Sequence, residues 1–338
     1  MKRLRVAFFE SEPWERAVIR RGPLASQAQL AFYPEPLQKI PSKELAPLEA
    51  ISVFIYSRLD GSVFKQIPRL KLIATRSTGY DHIDLKAASR RKIAVANVPF
   101  YGENTVAEHT FALILSLSRN VHKAYLKTTR ADFSLEGLQG FDLKGKTLGV
   151  VGAGHIGLHV IKIAKGFGME VLAHDIRRQP FLAEVLDFRY VSFEELLRRS
   201  DIVTLHTPAT AGTRHLIDRQ ALQKIKKGAL LINTARGGLV DTHALVWALD
   251  QGILGGAALD VLEGEELIKE ERQLLSADFP KEKLMTALKG HILLHRENVV
   301  ITPHIAFFSK EALQRIVETT VQNILHFFQD SPTNLLVP

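Results

Sequence analysis

Short apolar runs rich in Val, Ile, Leu and Ala alternate with longer stretches of helical spacing along the whole chain. Such runs, bounded by polar residues, Gly and Pro, read as strands. Strands that alternate with helices predict α/β units built on parallel sheets. In the first hundred residues the strand candidates are 5–9, 52–56, 71–75 and 93–97, with a helix over 84–91. Pro99-Phe100-Tyr101-Gly102 then breaks the pattern. The following segment, Glu103–Ser118, is apolar on nearly every side (Val106, Ala107, Phe111, Ala112, Leu113, Ile114, Leu115, Leu117). A helix apolar all round must be buried, so this one predicts a domain junction or a subunit contact.

A second pattern starts near Leu143, with strand candidates at 147–151, 170–174, 202–206, 229–234, 256–260 and 299–302. The last helix, 310–328, carries Leu313, Ile316, Val317, Val321, Ile324, Leu325 and Phe328 at helical spacing. The charged, poorly patterned stretch 265–296 reads as a loop–helix insertion.

Composition narrows the class. A chain of 338 residues predicts two domains at about 100–200 residues each. No apolar run approaches the roughly 18 residues of a membrane span. The basic and then apolar N-terminus runs directly into Glu10, Glu12 and Pro13, which reads as a first strand and not a signal peptide. The absence of Cys excludes disulfides, thiolate metal sites and a cysteine nucleophile, and fits a cytoplasmic enzyme. The net charge is +8, from 44 Lys and Arg against 36 Asp and Glu. Its clusters, Arg90-Arg91-Lys92 and Lys224-Ile225-Lys226-Lys227, are short and scattered, without any nucleic-acid-binding motif. They read as surface. His291 and His295 stand four apart with nothing nearby to complete a metal site, so no metal is expected.

The candidate chemistry begins at Gly152-Ala153-Gly154-His155-Ile156-Gly157, between the strand candidate 147–151 and a helix over 158–166. That placement is what a dinucleotide-binding glycine loop requires. Gly152 permits the tight turn, Gly154 lets the backbone approach a pyrophosphate, and Gly157 lets helix and strand pack closely. The helix N-terminus offers N–H groups to the phosphates. Asp175 ends the next strand, 18 residues after Gly157, near the expected ~20 for a ribose-binding carboxylate. It favours NAD over NADP, although Arg177 and Arg178 follow at once. The six strands of this half match a complete dinucleotide-binding sheet.

In open α/β sheets ligands bind beyond the carboxyl ends of the strands. Three candidate strands end there in Thr234-Ala235-Arg236-Gly237-Gly238, in Asp260-Val261-Leu262-Glu263-Gly264-Glu265, and in Thr302-Pro303-His304. Taken singly, each has a structural reading: a surface Arg, a solvated acidic loop, a core His. Together beside a dinucleotide loop they suit reduction of a 2-keto acid. Arg236 can clamp a carboxylate through its planar fork. His304 can deliver or remove the proton at the carbonyl oxygen. An acid beside it, Glu265, would fix which ring nitrogen carries that proton.

The ordered segments 148–157, Asn233-Thr234-Ala235-Arg236-Gly237-Gly238-Leu239-Val240-Asp241, Gly256-Ala257-Ala258-Leu259-Asp260-Val261 and Thr302-Pro303-His304-Ile305-Ala306 resemble the D-isomer-specific 2-hydroxyacid dehydrogenase family over nearly the whole chain. Pro99-Phe100-Tyr101, 76–84 and Phe307-Phe308 make it most similar to the D-lactate dehydrogenases of that family. The resemblance implies Arg236, Glu265 and His304 as the catalytic set. Glu265 is preferred over Glu263 because it stands 29 residues after Arg236. It implies NAD contacts at Gly152, Gly154, His155, Ile156, Gly157, Asp175, Thr207, Pro208, Thr234, Ala235 and Asp260, with Asp260 at the nicotinamide end. It implies substrate contacts at Thr78, Gly79, Tyr101, Arg236 and Phe307. The fold it implies is two doubly wound parallel-sheet domains. One is a Rossmann NAD-binding domain, 101–304. The other is a smaller flavodoxin-like substrate domain, 1–100 plus 305–338, with the active site in the cleft between them. Helix Glu103–Ser118 would lie in a homodimer contact. The expected activity is NAD-dependent reduction of pyruvate to D-lactate. The alternatives are glyoxylate or hydroxypyruvate reduction, phosphoglycerate oxidation, or an NAD-sensing corepressor-like protein. Two departures stand out: His155 where the family often has Arg, and a 265–304 segment longer than in many relatives.

Overall fold

The computed structural model describes residues 3–264 and 281–337. The chain divides into two compact units, Met1–Tyr101 with Ser309–Pro338, and Gly102–Phe308. In chain order the strands of the first unit are β1 (Leu4–Phe8), β2 (Ala28–Phe32), β3 (Ala50–Val53), β4 (Leu72–Thr75) and β5 (Ala94–Ala96). Those of the second are β6 (Thr147–Val151), β7 (Glu170–His174), β8 (Arg189–Tyr190), β9 (Ile202–Leu205), β10 (Ala229–Asn233), β11 (Leu254–Leu259) and β12 (Val299–Ile301). The chain ends with β13 (Leu335–Val337), which belongs to the first unit.

The first sheet runs β13-β5-β4-β3-β1-β2. Strands β1 to β5 are parallel in the flavodoxin-like order 2-1-3-4-5. Strand β3 starts and stops earlier than the pattern predicts. Beyond Val53 the chain leaves the ladder, and the Phe54 N–H is taken by the Glu10 carboxylate at 2.7 Å. The sheet is completed at its edge by β13, which pairs antiparallel with β5. Helix Lys310–Phe328 packs Val317, Val321, Ile324 and Leu325 against Val6, Phe8, Leu72 and Ala94. A tight turn then carries the chain back. Asn323 accepts from Asn334 Nδ2 at 2.8 Å and donates to the Asn97 carbonyl at 2.8 Å. That turn leaves only an antiparallel approach to the sheet edge.

The second sheet runs β12-β11-β10-β9-β6-β7-β8 and is parallel throughout. Counted from β6 this is the Rossmann order 3-2-1-4-5-6 extended by a seventh strand. The strand missing from the sequence pattern is β8, a two-residue edge too short to show a period. Its two faces carry separate apolar clusters, one around Leu205, Leu231 and Leu245, the other around Phe111, Ile114, Val150 and Ile161. Helix Glu103–Ser118 belongs to the second cluster and packs on helix His155–Gly166. Most of its apolar residues are therefore buried inside this unit, by its own sheet and neighbouring helix, while Ala112 is exposed and Leu115 half-buried.

Candidate active site

The glycine loop joins β6 to helix His155–Gly166, and each glycine has a distinct physical reason. Gly152 has φ +95°, and a Cβ there would stand 2.6 Å from the His206 carbonyl oxygen at the end of β9. A Cβ on Gly157 would stand 2.0 Å from the Gly152 oxygen, so helix and strand could not approach as they do. A Cβ on Gly154 would meet nothing within 4 Å, so its outer side is open to a ligand. Gly154 caps the helix whose first turn holds His155 and Ile156. Asp175 closes the loop from the end of β7, accepting from Ala153 N at 2.8 Å and Arg177 N at 2.7 Å. Thr207 and Pro208 follow His206, and Thr207 N lies 3.0 Å from the same hypothetical Gly152 Cβ. Burial pushes the His206 ring down to about 3, so it is neutral where it shares a hydrogen bond with Thr204 at 2.9 Å. An open backbone at Gly154 beside a helix N-terminus, with a carboxylate at the next strand end, fits a dinucleotide's pyrophosphate and ribose.

Strand β10 delivers Thr234, Ala235 and Arg236. Asn233 shapes this turn, accepting from Ala235 N at 3.0 Å and donating to the Arg236 carbonyl at 2.9 Å. The Thr234 hydroxyl pairs with Thr110 at 3.0 Å. Arg236 is half-buried and donates to the Ala235 carbonyl at 2.8 Å. Behind it Gly237 lies so close to the next loop that a Cβ would meet the Leu262 carbonyl at 2.2 Å. The β10 and β11 loops are thus packed together.

Glu263, the competing acid, is committed elsewhere. Its Oε1 lies 2.6 Å from His215 Nε2, and its Oε2 accepts from Thr242 Oγ1 at 3.2 Å. Glu265 lies outside the described residues.

Asp260, at the end of β11, is 1% exposed and organises the turn that carries His304. Its carbonyl accepts from His304 N at 2.8 Å, and its carboxylate accepts from Ile305 N at 2.9 Å and Ala306 N at 2.8 Å. Thr302 Oγ1 donates to it at 2.5 Å, and His109 Nε2 lies 3.5 Å away. Burial opposes the charge, but donors from His109, Thr302, Ile305 and Ala306 outweigh it and hold the carboxyl below its ordinary value. Three successive amides thus answer to one residue. They hold His304 in the left-handed region at φ +58°, a conformation non-glycine residues seldom adopt. The Phe307 ring stands edge-on to the imidazole, centroids 6.3 Å apart. The expected cofactor role of Asp260 therefore comes with a structural one.

Thr78, Gly79 and Tyr101 belong to the first unit. Thr78 donates to the Val98 carbonyl at 2.8 Å, and the Gly79 carbonyl accepts from Ser77 at 2.6 Å. Beneath them Arg76, 2% exposed, donates to the Phe9 and Glu10 carbonyls and Ser52, and pairs with Glu15 at 3.1 Å. Sequence reasoning passed over His109 and Thr110. Their signal was faint, because they stand in the polar run Glu108-His109-Thr110 of a helix that also carries Glu103, Asn104, Thr105, Ser116 and Ser118. Among the described residues no cluster of His, Asp and Glu could hold a metal, and no helix is long and apolar enough to cross a membrane.

A Rossmann sheet whose glycine loop, Arg turn and His turn all emerge at its carboxyl edge defines a nucleotide-dependent dehydrogenase. Residues 111–306 match the model for the NAD-binding domain of D-isomer specific 2-hydroxyacid dehydrogenases. The chain belongs to that family, as an NAD-dependent D-2-hydroxyacid dehydrogenase. It is 40% identical over 327 residues to 2-hydroxyacid dehydrogenase homolog 1 of Schizosaccharomyces pombe, covering 96% of each chain. It is 33% identical to the D-lactate dehydrogenase of Escherichia coli, over 95% of this chain and 96% of that one. The crystal structure of D-lactate dehydrogenase from Aquifex aeolicus with NAD and lactic acid superposes with a TM-score of 0.88 at 36% identity, over 98% of this chain and 99% of that one.

Proposed function

We propose that this dehydrogenase interconverts pyruvate and D-lactate, with His304 as the acid and base and Arg236 as the carboxylate clamp. The observation that carries the reading is the Asp260-held turn. A histidine kept at positive φ by its neighbours is built for a fixed direction, and strained backbone of this kind concentrates at functional sites. Bound NADH supplies the hydride. The His304 ring donates a proton at the substrate's carbonyl oxygen and recovers it in the reverse reaction. The planar fork of Arg236 holds the carboxylate and polarises the adjacent carbonyl. Glu265 is the acid assigned to orient the imidazole in this proposal, and Asp260 would support the nicotinamide end of the cofactor through the turn it holds. The main-chain amides at Thr78 and Gly79 add donors to the carboxylate. Phe307 and Tyr101 wall the methyl side, which suits a small substituent.

The lactate-binding relative supports this substrate size, and the Asp175 carboxylate supports NAD. Residues His155, Ile156, Gly152, Gly154, Gly157, Thr207, Pro208, Thr234 and Ala235 would line the dinucleotide. Homodimer formation is part of the same proposal. The test is a panel of pyruvate, glyoxylate, hydroxypyruvate and longer 2-keto acids, each with NADH and NADPH, followed by absorbance. The expected result is the highest kcat/KM for pyruvate with NADH. Preference for another acid contradicts the substrate assignment.

A further inference from the structure

One helical turn reaches the ends of three strands. On helix Glu103–Ser118, Thr110 bonds Thr234 at the end of β10. The preceding residue, His109, places Nε2 3.2 Å from Thr302 Oγ1, just after β12, and 3.5 Å from Asp260 Oδ1, just after β11. These strand ends carry the Arg236 turn, the Asp260 carboxylate and the His304 turn. A buried Thr110 and a half-buried His109, on a helix whose other buried residues are mostly apolar, have a reason to exist if they set the relative height of those ends.

We propose that His109 is a positioning residue for His304. The proposal rests on the reading of His304 as the proton-transfer group. Its action passes through two bonds. The Nε2–H donates toward Thr302 and Asp260, and Asp260 in turn accepts the amides of residues 304, 305 and 306. The carboxylate is 1% exposed, so water has little access to replace a lost donor. With the His109 donor gone, Asp260 is underfilled and the turn it holds relaxes. His304 then loses the strained φ that aims it. The chain from His109 to His304 resembles the outer partners that orient metal-bound histidines, whose removal costs about 10- to 100-fold. Here the oriented group is a proton donor.

The residue's geometry distinguishes this from packing. Glutamine can place an amide N–H where His109 Nε2 stands, whereas phenylalanine fills the space without a donor. His109→Phe is therefore expected to lower kcat for pyruvate reduction about tenfold or more, with the Kd for NADH and the KM for pyruvate within about twofold of the unmodified enzyme. His109→Gln is expected to recover most of the loss. Unchanged kcat in His109→Phe, or equal impairment in both variants, overturns the proposal. Should His109→Phe fail to fold, His109→Leu, smaller and equally without a donor, is read in its place. His304→Ala runs in parallel. Full turnover there sinks the reading of His304 itself, whereas a dead His304→Ala beside a fully active His109→Phe sinks only the positioning role.

Discussion

Replacing Asp260 with asparagine keeps the shape of the side chain and turns one of its oxygens into an NH2. In the folded chain one carboxylate oxygen accepts from Ile305 N and Thr302, the other from Ala306 N, at 2.5–2.9 Å. An asparagine amide can satisfy only one of these oxygens' partners, and its NH2 then faces an N–H or a hydroxyl. Bonds to a charged acceptor contribute roughly 1.5–3 kcal/mol each. Losing one to two of them costs about 3 kcal/mol, and more if the turn cannot move. In a domain of about 200 residues, roughly 3 kcal/mol lowers the melting temperature by about 6–12 °C. Differential scanning calorimetry on Asp260→Asn reads this directly. Turnover falls with it, because the displaced turn is the one that aims His304. The wild-type protein shows the same contribution by titration. The folded carboxyl ionises below its ordinary value, so its stabilisation is complete above the unfolded carboxylate range. It is lost as pH falls through the folded value. A variant that melts within a degree of wild type, with unchanged kcat, refutes the claim that this carboxylate holds the turn.

Gly154→Ala and Gly157→Ala separate two reasons for glycine. The first is expected to leave the melting temperature unchanged and weaken NADH binding about tenfold by fluorescence titration, because its Cβ meets only the ligand's space. The second lowers both, because its Cβ overlaps the Gly152 carbonyl. Arg76→Leu strands the buried Glu15 and is expected to cost about 3–5 kcal/mol in urea denaturation, part of it recovered by adding Glu15→Leu. His206→Gln tests the neutral histidine. The folded ring resists protonation down to about 3, so the unfolded chain binds the extra proton and wild-type stability falls as pH drops below the ordinary histidine range. The variant should show a flatter melting-temperature profile there.

The second sheet was largely legible because its strands are buried on both faces and read as continuous apolar runs. The glycine loop was legible for a local reason, since all its constraints fall within six residues. Other features depend on distant partners. Strand β2, with Gln29 exposed, has its pairing set only by β1, and β13 is three residues whose direction is set by the Asn323 turn. Helix Glu103–Ser118 announced its burial, but its partner, the unit's own sheet and neighbouring helix, lies more than thirty residues further along the chain. Arg236 and His304 could be marked from strand ends and chemistry. The commitment of Glu263 to His215, and of Asp260 to three amides, could not, because each depends on loops brought together only by the folded sheet.

The central claim is that His304 moves the proton. The most direct measurement is the turnover of His304→Ala with pyruvate and NADH, alongside its Kd for NADH. A fall in kcat of roughly 100-fold or more is expected, with NADH binding unchanged. Wild-type turnover in a variant that binds NADH normally would contradict it.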